Sequence, residues 1–262
     1  MTSAKRPFTT QQLDVLSKTL RSALVSDILD GLGLWHQCLA PGLVPLDPGA
    51  TLIGYAFPVS SEAVTQVPDE PYVGLLRALD SICADEVWVV SCDTDAALWG
   101  ELTSTACRSR GARGAVCEGF VRDIWMVRNI GFPVFSRGAS PKDANGRMEI
   151  ISHSASVRVS DVEVFRDDLI VADDDGVAVV PGALVEKVVS AALDKSSAES
   201  LFRAAVAEGE LPSAAYQRYG VLWSAGRWSC SPGLPPLASS PGTNCRGTPP
   251  QRGRRASCHR CG

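Results

Sequence analysis

No run of about 18 apolar residues occurs anywhere in the sequence, so a membrane-spanning helix is not expected. The opening residues, MTSAKRPFTTQQ, hold no apolar stretch of the kind that makes a secretory leader. A cytoplasmic protein with no membrane partner is the expectation. Histidine is scarce: His36, His153 and His259 are the only three, and they fall in neither metal-ligand nor triad spacing. Histidine-based catalysis therefore has little support. Also missing are G-x-x-x-x-G-K-[ST] and G-x-S-x-G, the sequences of a phosphate-cradling loop and of a nucleophile elbow. Gly31-Leu32-Gly33 lacks the third glycine of a dinucleotide fingerprint and follows a helical rather than a strand-like pattern.

What is present is an ordinary globular composition. In 262 residues, 45% are hydrophobic and 21% charged, enough for one large or two small domains with a sizeable core. Charge is unevenly placed. From Ser224 to Gly262 there are six Arg and no Asp, Glu or Lys, so the net −4 of the chain leaves −10 on residues 1–223. An acidic body argues against a nucleic-acid partner there. Cys38, Cys83, Cys92, Cys107 and Cys117 are scattered without paired spacing through apolar segments and read as reduced thiols in or near the core.

Two domains of unequal character are expected, a globular body over 1–222 and a disordered tail over 223–262. Beyond Ser224, Ser, Pro, Gly, Arg and Cys dominate, too little apolar surface to offset the entropy of ordering. Cys245, Cys258, His259 and Cys261 invite a zinc reading, but no second paired half exists. The abrupt shift in composition resembles a frame-shifted or aberrantly spliced end.

Within the body, helical and strand-like patterns alternate. Thr9 and Gln12 stand at capping-box spacing before Leu13, Leu16, Leu20, Leu24, Ile28 and Leu29, which predicts one amphipathic helix closed by Gly31 and Gly33. Strands are predicted over 51–59, 86–91, 114–117, 133–135, 156–165, 169–172 and 177–180, and helices over 72–84, 98–110, 123–130 and 183–208. That order indicates an α/β domain of two or more layers. Asp173-Asp174-Asp175-Gly176 looks like a metal cluster, but Asp-Gly between two apolar runs is a hairpin signal, and calcium-loop spacing fails.

The informative stretch is 97–130. Gly100 allows a backbone to approach a ligand, and the amides of Leu102 and Thr103 at a helix start suit an anion. Arg122-Asp123 stands where a strand gives way to a helix, the usual place for ligands in α/β sheets. A fixed Arg suits bidentate capture of a carboxylate, and an adjacent Asp suits a hard cation that keeps most ligands as water or substrate. Residue chemistry alone leaves a plainer alternative open, a helix-dipole and salt-bridge feature.

Glu101, twenty intervening residues and then Arg122-Asp123 resemble the hallmark of the 4-hydroxy-4-methyl-2-oxoglutarate aldolase family, which shares its fold with the RraA regulators of ribonuclease activity. In order along the chain, Ser26-Asp27-Ile28-Leu29-Asp30-Gly31, Gly131-Phe132-Pro133-Val134-Phe135, Val171 to Val177 and Tyr216-Gln217-Arg218-Tyr219-Gly220-Val221 are similar to the family as well. The chain departs from the commoner pattern at Glu101, where Asp is usual, and at Thr103, where Leu is common.

The resemblance implies a layered α/β sandwich with a swivelling β/β/α-like core, assembled as homotrimers or hexamers with sites between subunits. It implies a Mg²⁺ or Mn²⁺ cofactor held by Asp123, with Glu101 taking the place of the acidic residue that holds a metal-bound water. Arg122 would bind the pyruvyl carboxylate of a small 2-oxo acid, assisted by Gly100 and the amides of Leu102 and Thr103. Lys142, in Ser140-Pro141-Lys142, would meet the distal carboxylate. Glu199, in a Glu-x-x-x-Arg pattern with Arg203, would reach the metal across a subunit interface, although a solvated helix-face ion pair explains that pattern as well. The implied activity is retro-aldol cleavage to pyruvate, with oxaloacetate decarboxylation as its companion, and a non-catalytic RraA-like regulator is the alternative. A methyltransferase would need a glycine-rich loop after the first strand, and none is present.

Overall fold

The computed structural model describes residues 6–153 and 155–221. The tail from Ser224, its Cys/His grouping and the boundary drawn at 222 lie outside the described residues.

The capping box at Thr9 forms: Gln12 N donates to Thr9 Oγ1 at 3.4 Å, and Thr9 N donates to Gln12 Oε1 at 2.8 Å. It opens α1 (Thr10–Thr19), but the single helix expected from the leucine spacing is two. Leu20 and Arg21 are extended, and α2 runs over Ser22–Gly31. The break has a chemical cause. Asp173 reaches in from the distant acidic run, accepting from Ser22 N at 2.8 Å and from Ser22 Oγ at 2.6 Å. A carboxylate from across the fold thereby satisfies a first-turn amide, as an N-cap side chain would do locally. The leucine pattern runs through the break because both helices bury the same face, from Leu13 to Leu29, against Leu169, Val171, Ala178 and Val180.

The remaining elements are β1 (Val44–Pro45), β2 (Leu52–Ala63), α3 (Val73–Ser81), β3 (Glu86–Ser91), β4 (Ala97–Trp99), α4 (Glu101–Ser109), β5 (Gly114–Val121), α5 (Ile124–Ile130) and β6 (Val134–Ala139). They are followed by β7 (Met148–His153), β8 (Ser156–Val159), β9 (Val162–Phe165), β10 (Leu169–Asp173), β11 (Gly176–Val180), α6 (Val185–Ala207) and α7 (Pro212–Tyr219). Among the described residues one sheet runs in the order β1-β6-β5-β3-β2-β10-β11, with β4 against β5 and β7 against β2. Strands β2, β3, β5 and β6 are parallel, so their carboxyl ends share one edge. Helices α3, α4 and α5 make the crossovers that parallel pairing requires. The α/β class read from the sequence is what the structure has.

Period-two alternation assigns each strand two faces. On β3, Trp88 and Val90 point outward to a core with α3, α4 and α5, while Val87 and Val89 point inward. The inward set gathers Leu52, Ala56, Val116, Phe135, Ile170 and Val179, residues from strands across the whole sheet. A sheet whose inner face packs on itself is curled, here into a nearly closed barrel. Its interior is filled by Val159, Val162 and Val164 of the β8–β9 hairpin. The predicted strand 156–165 is that hairpin, turning at Ser160 with φ of 53°.

The acidic run is a hairpin turn. Asp173 pairs with Gly176 across β10 and β11, leaving Asp174-Asp175 as the loop. Asp173 caps α2, and Asp174 accepts from Gly49 N at 2.9 Å. Among the described residues, no group of three His, Cys, Asp or Glu side chains is placed to hold a metal ion. No described helix is long and apolar enough to cross a membrane.

Candidate active site at the carboxyl edge of the sheet

The helix expected over 98–110 starts later. Leu98 and Trp99 are in β4, laid beside the end of β5, and α4 begins at Glu101. Trp99 explains the shift. Its indole is 2% exposed, packed edge-on to Trp88 with centroids 5.4 Å apart and stacked on Phe132 at 6.1 Å. Such aromatic pairs each add roughly 0.5–1.5 kcal/mol beyond area burial. Trp99 Nε1 donates to Ser104 Oγ at 2.7 Å, and that hydroxyl donates to Gly100 O at 2.9 Å. The start of α4 is thus clamped from below.

Gly100 occupies the N-cap of α4 and has no side chain with which to cap it. Thr103 Oγ1 instead accepts from Gly100 N at 3.0 Å. In the first turn, the amides of Glu101, Leu102 and Thr103 have no acceptor within the helix. Glu101 is half-buried, and its Oε1 accepts from Thr105 Oγ1 at 2.8 Å. Leu102 is 77% exposed.

Arg122 and Asp123 follow β5 directly. Arg122 N donates to Trp99 O at 2.9 Å, tying the strand end to β4. Asp123 then turns left-handed, φ 56° and ψ 33°, and its carbonyl accepts from the Met126 and Val127 amides that begin α5. A non-glycine residue there costs about 1 kcal/mol, least for Asp and Asn. The turn brings Asp123 Oδ2 to within 3.0 Å of where a Cβ on Gly100 would stand. Gly100 therefore meets Arg122 and Asp123, far from it in sequence, while the Glu101 carboxylate is engaged by Thr105 of its own helix. With Arg122 37% and Asp123 43% exposed, both remain reachable from solvent.

The Arg122 guanidinium lies between two carboxylates. Its Nε is 3.7 Å from Asp123 Oδ2, and its Nη1 is 3.5 Å from Asp143 Oδ1. Asp143 Oδ2 in turn accepts from the Tyr72 hydroxyl at 3.2 Å. Partial burial and then the Asp143 charge push the Tyr72 hydroxyl's pKa upward, so it stays a neutral donor. Sequence reasoning missed Tyr72 and Asp143. They stand 71 positions apart, and no local spacing signals a contact made by an αL residue at a helix start.

Two other expected site residues are occupied. Lys142 pairs with Asp95, and its carbonyl accepts from Ala97 N at 2.9 Å. Meeting a distal carboxylate would require it to share or leave Asp95, a step that costs little because solvent screens an exposed pair. Glu199 lies on α6, 3.8 Å from both Lys195 Nζ and an Arg203 nitrogen. Among the described residues of one chain, the ion pairs of Glu199 are with Lys195 and Arg203, and none joins it to Asp123. Lys195 is buried and also pairs with Asp27 of α2.

Clefts lie elsewhere. One of about 530 Å³ is bordered by Ser60, Ser91, Asp93, Arg158 and Glu163, and one of about 40 Å³ by Tyr72, Leu98, Asn145 and Met148. Arg122 and Asp123 border neither and stand on an open edge. That donor set suits Mg²⁺ or Mn²⁺ more than a cage-bound ion. Mg²⁺ typically takes one or two protein carboxylates and keeps its other positions for water and substrate oxygens. Asp123, 43% exposed, can be that ligand.

The chain is similar to several known proteins. Protein DlpA of Legionella pneumophila is 26% identical over 204 residues, 76% of this chain but only 32% of its own, so the chain spans about a third of that relative's length. The "Putative 4-hydroxy-4-methyl-2-oxoglutarate aldolase" of Halalkalibacterium halodurans is 28% identical over 222 residues, 82% of this chain and 96% of the relative. The crystal structure of Streptomyces coelicolor RraAS2, titled an unusual member of the RNase ES inhibitor RraA protein family, matches with a TM-score of 0.65 at 25% identity. It covers 76% of this chain and 98% of that one. The family model described as RraA-like, Aldolase/RraA, matches residues 22–179, which hold Gly100, Glu101, Arg122 and Asp123. This chain belongs to the RraA-like family.

Proposed function

We propose that this chain is a divalent-metal-dependent lyase acting on a small 2-oxo acid with a second carboxylate. It would cleave 4-hydroxy-4-methyl-2-oxoglutarate or 4-carboxy-4-hydroxy-2-oxoadipate to pyruvate and a second 2-oxo acid, and decarboxylate oxaloacetate to pyruvate. The observation that carries this reading is the juxtaposition of Arg122 and Asp123 with the uncapped start of α4 at Gly100.

Each residue has a task that its surroundings suit. The Arg122 fork takes the C1 carboxylate, and the Leu102 and Thr103 amides add donors aimed at the same anion. Asp123 would hold the cation, the missing Cβ of Gly100 leaving room for its carboxylate. The Glu101 carboxylate, steadied by Thr105, accepts a proton from the water that deprotonates the substrate's 4-hydroxyl. The chemistry a bound Mg²⁺ or Mn²⁺ supplies is Lewis-acid stabilisation of the negative charge developing on the 2-oxo oxygen, which C–C cleavage and loss of CO₂ have in common. In this reading Glu199 serves the site of a second copy, and the assembly is a trimer or hexamer.

The deciding experiment measures pyruvate release from the three substrates with Mg²⁺, with Mn²⁺ and after EDTA. Metal-dependent release from at least one supports the reading, and no release from any of them rejects it. A second reading, a non-catalytic regulator that binds a ribonuclease, is favoured by the similarity to RraAS2 and by the exposed Leu102 and Trp125 flanking the site. It requires tight binding to a ribonuclease together with failure of the pyruvate assay.

A further inference from the structure

Arg122 must present its fork in one orientation to grip a carboxylate, yet the side chain is long and 37% exposed. A flexible cation loses rotamer entropy on binding unless something holds it beforehand. Asp143 and Tyr72 form a chain of contacts leading to it. Asp143 Oδ1 lies 3.5 Å from Arg122 Nη1 and accepts from Asn145 N at 3.4 Å, which fixes the carboxylate in an Asx-type turn. Asp143 Oδ2 accepts from the Tyr72 hydroxyl at 3.2 Å.

Both anchors are themselves held. Tyr72 is left-handed, φ 66°, at the start of α3, and α3 packs directly on β7. A Cβ at Gly74 would run into the carbonyl of Ile150, so glycine lets the helix start sit directly on the strand. On the other side, Lys142 O accepts from Ala97 N and Ser140 Oγ donates to Asp95 O at 2.6 Å. The segment carrying Asp143 is thus tied to the loop that precedes β4. Among the described residues the ion pairs of Arg122 run through Nε and Nη1, which leaves Nη2 to meet an incoming anion.

We propose that Asp143, anchored by the Tyr72 hydroxyl, is the positioning residue that holds the Arg122 guanidinium ready for the substrate carboxylate. This rests on the lyase reading for its substrate class and adds two residues to the machinery. Electrostatics gives the proposal a sign. Asp143 is an anion beside an anion-binding group, so if it merely competed for Arg122, removing its charge would tighten binding. As a positioner, its removal weakens binding despite the lost repulsion.

The test is calorimetric binding of oxalate in the presence of Mg²⁺, a planar dianion resembling the product enolate, to the full chain and three variants. Wild type is expected to bind. Asp143→Asn should weaken binding about two- to fivefold, the worth of one partly exposed ion pair. Tyr72→Phe changes no charge and removes one oxygen from a surface residue, so it keeps the fold. It should weaken binding by about a third to a half of that amount on a logarithmic scale. The double variant should be no worse than Asp143→Asn, because the hydroxyl acts only through that carboxylate. In turnover, KM should rise more than kcat falls. Tighter or unchanged oxalate binding by Asp143→Asn, or an additive double variant, overturns the positioning role while wild-type binding leaves the lyase reading intact. Failure of wild type to bind oxalate overturns both.

Discussion

Gly100 and Asp123 occupy a gap with room for one side chain, since a Cβ on residue 100 would stand 3.0 Å from Asp123 Oδ2. Gly100 is extended, at φ −163°, so alanine there meets no backbone penalty and acts through proximity alone. Gly100→Ala should push the carboxylate aside and lower kcat/KM by about 10- to 100-fold, the usual cost of misplacing a reacting group by a fraction of an ångström to an ångström. Far-ultraviolet circular dichroism should be unchanged. Full activity would mean that the position of the Asp123 carboxylate is not critical.

Metal removal should abolish turnover, and Mg²⁺ or Mn²⁺ should restore it. Asp123→Asn should lower activity by about a hundredfold or more with the fold kept, because asparagine tolerates the left-handed turn as well as aspartate does. Turnover that persists in EDTA would reject the assignment of Asp123 as a metal ligand.

Arg122→Lys keeps the charge but replaces a planar fork with a point charge. An ammonium cannot engage Asp143 and a substrate carboxylate in one plane. We expect a loss of about tenfold or more in kcat/KM, chiefly through KM. An unaltered specificity constant would return Arg122 to a surface ion pair.

Stability should carry a signature from Asp168, remote from the site. Burial raises its carboxyl from 3.8 to about 6, against two amides, Phe165 N and Gly182 N, that favour the charged form. The folded state therefore holds this proton more tightly than the unfolded state. The resulting stabilisation is complete below the unfolded value and is lost as pH rises through about 6. Glu118 has the opposite sign: burial raises it, but hydrogen bonds from Ser160 and Ser91 and the Arg137 contact outweigh that and lower it. Its contribution is lost on acidification, so wild type alone does not isolate Asp168. Urea unfolding of Asp168→Asn against wild type at several pH values from 4 to 7 should show a difference changing by about 2 kcal/mol. A difference independent of pH would contradict the raised value.

Legibility in the sequence followed the range of the interactions. That Arg122-Asp123 follows a strand and precedes a helix was readable because strand and helix patterns on either side are local. The Asp173–Gly176 hairpin was readable because Asp-Gly turn chemistry is local. The break between α1 and α2 was not, because its cause, Asp173, lies 151 residues from Ser22. Strand β4 hid inside a helical pattern, since Trp99 is drawn down by Trp88 and Phe132 rather than by its neighbours in sequence. Strand β7 exists only as a partner for the far half of β2. Asp143 and Tyr72 carry no motif, and their relation to Arg122 emerges only once α3 is seated on β7.

The β8–β9 hairpin, with Val159, Val162 and Val164 driven into the curled sheet, also governs traffic. The interior on that side is packed with valines, while Arg122 and Asp123 at the rim stay 37% and 43% exposed. Around Asp123 and Arg122, ions and chelators exchange with bulk water without waiting for any part of the chain to open. Within a single copy, nothing described here shields a reacting carbanion from stray protons. A neighbouring copy pressed over that rim would be the simplest shutter, and occupancy of the rim would then rise and fall with protein concentration.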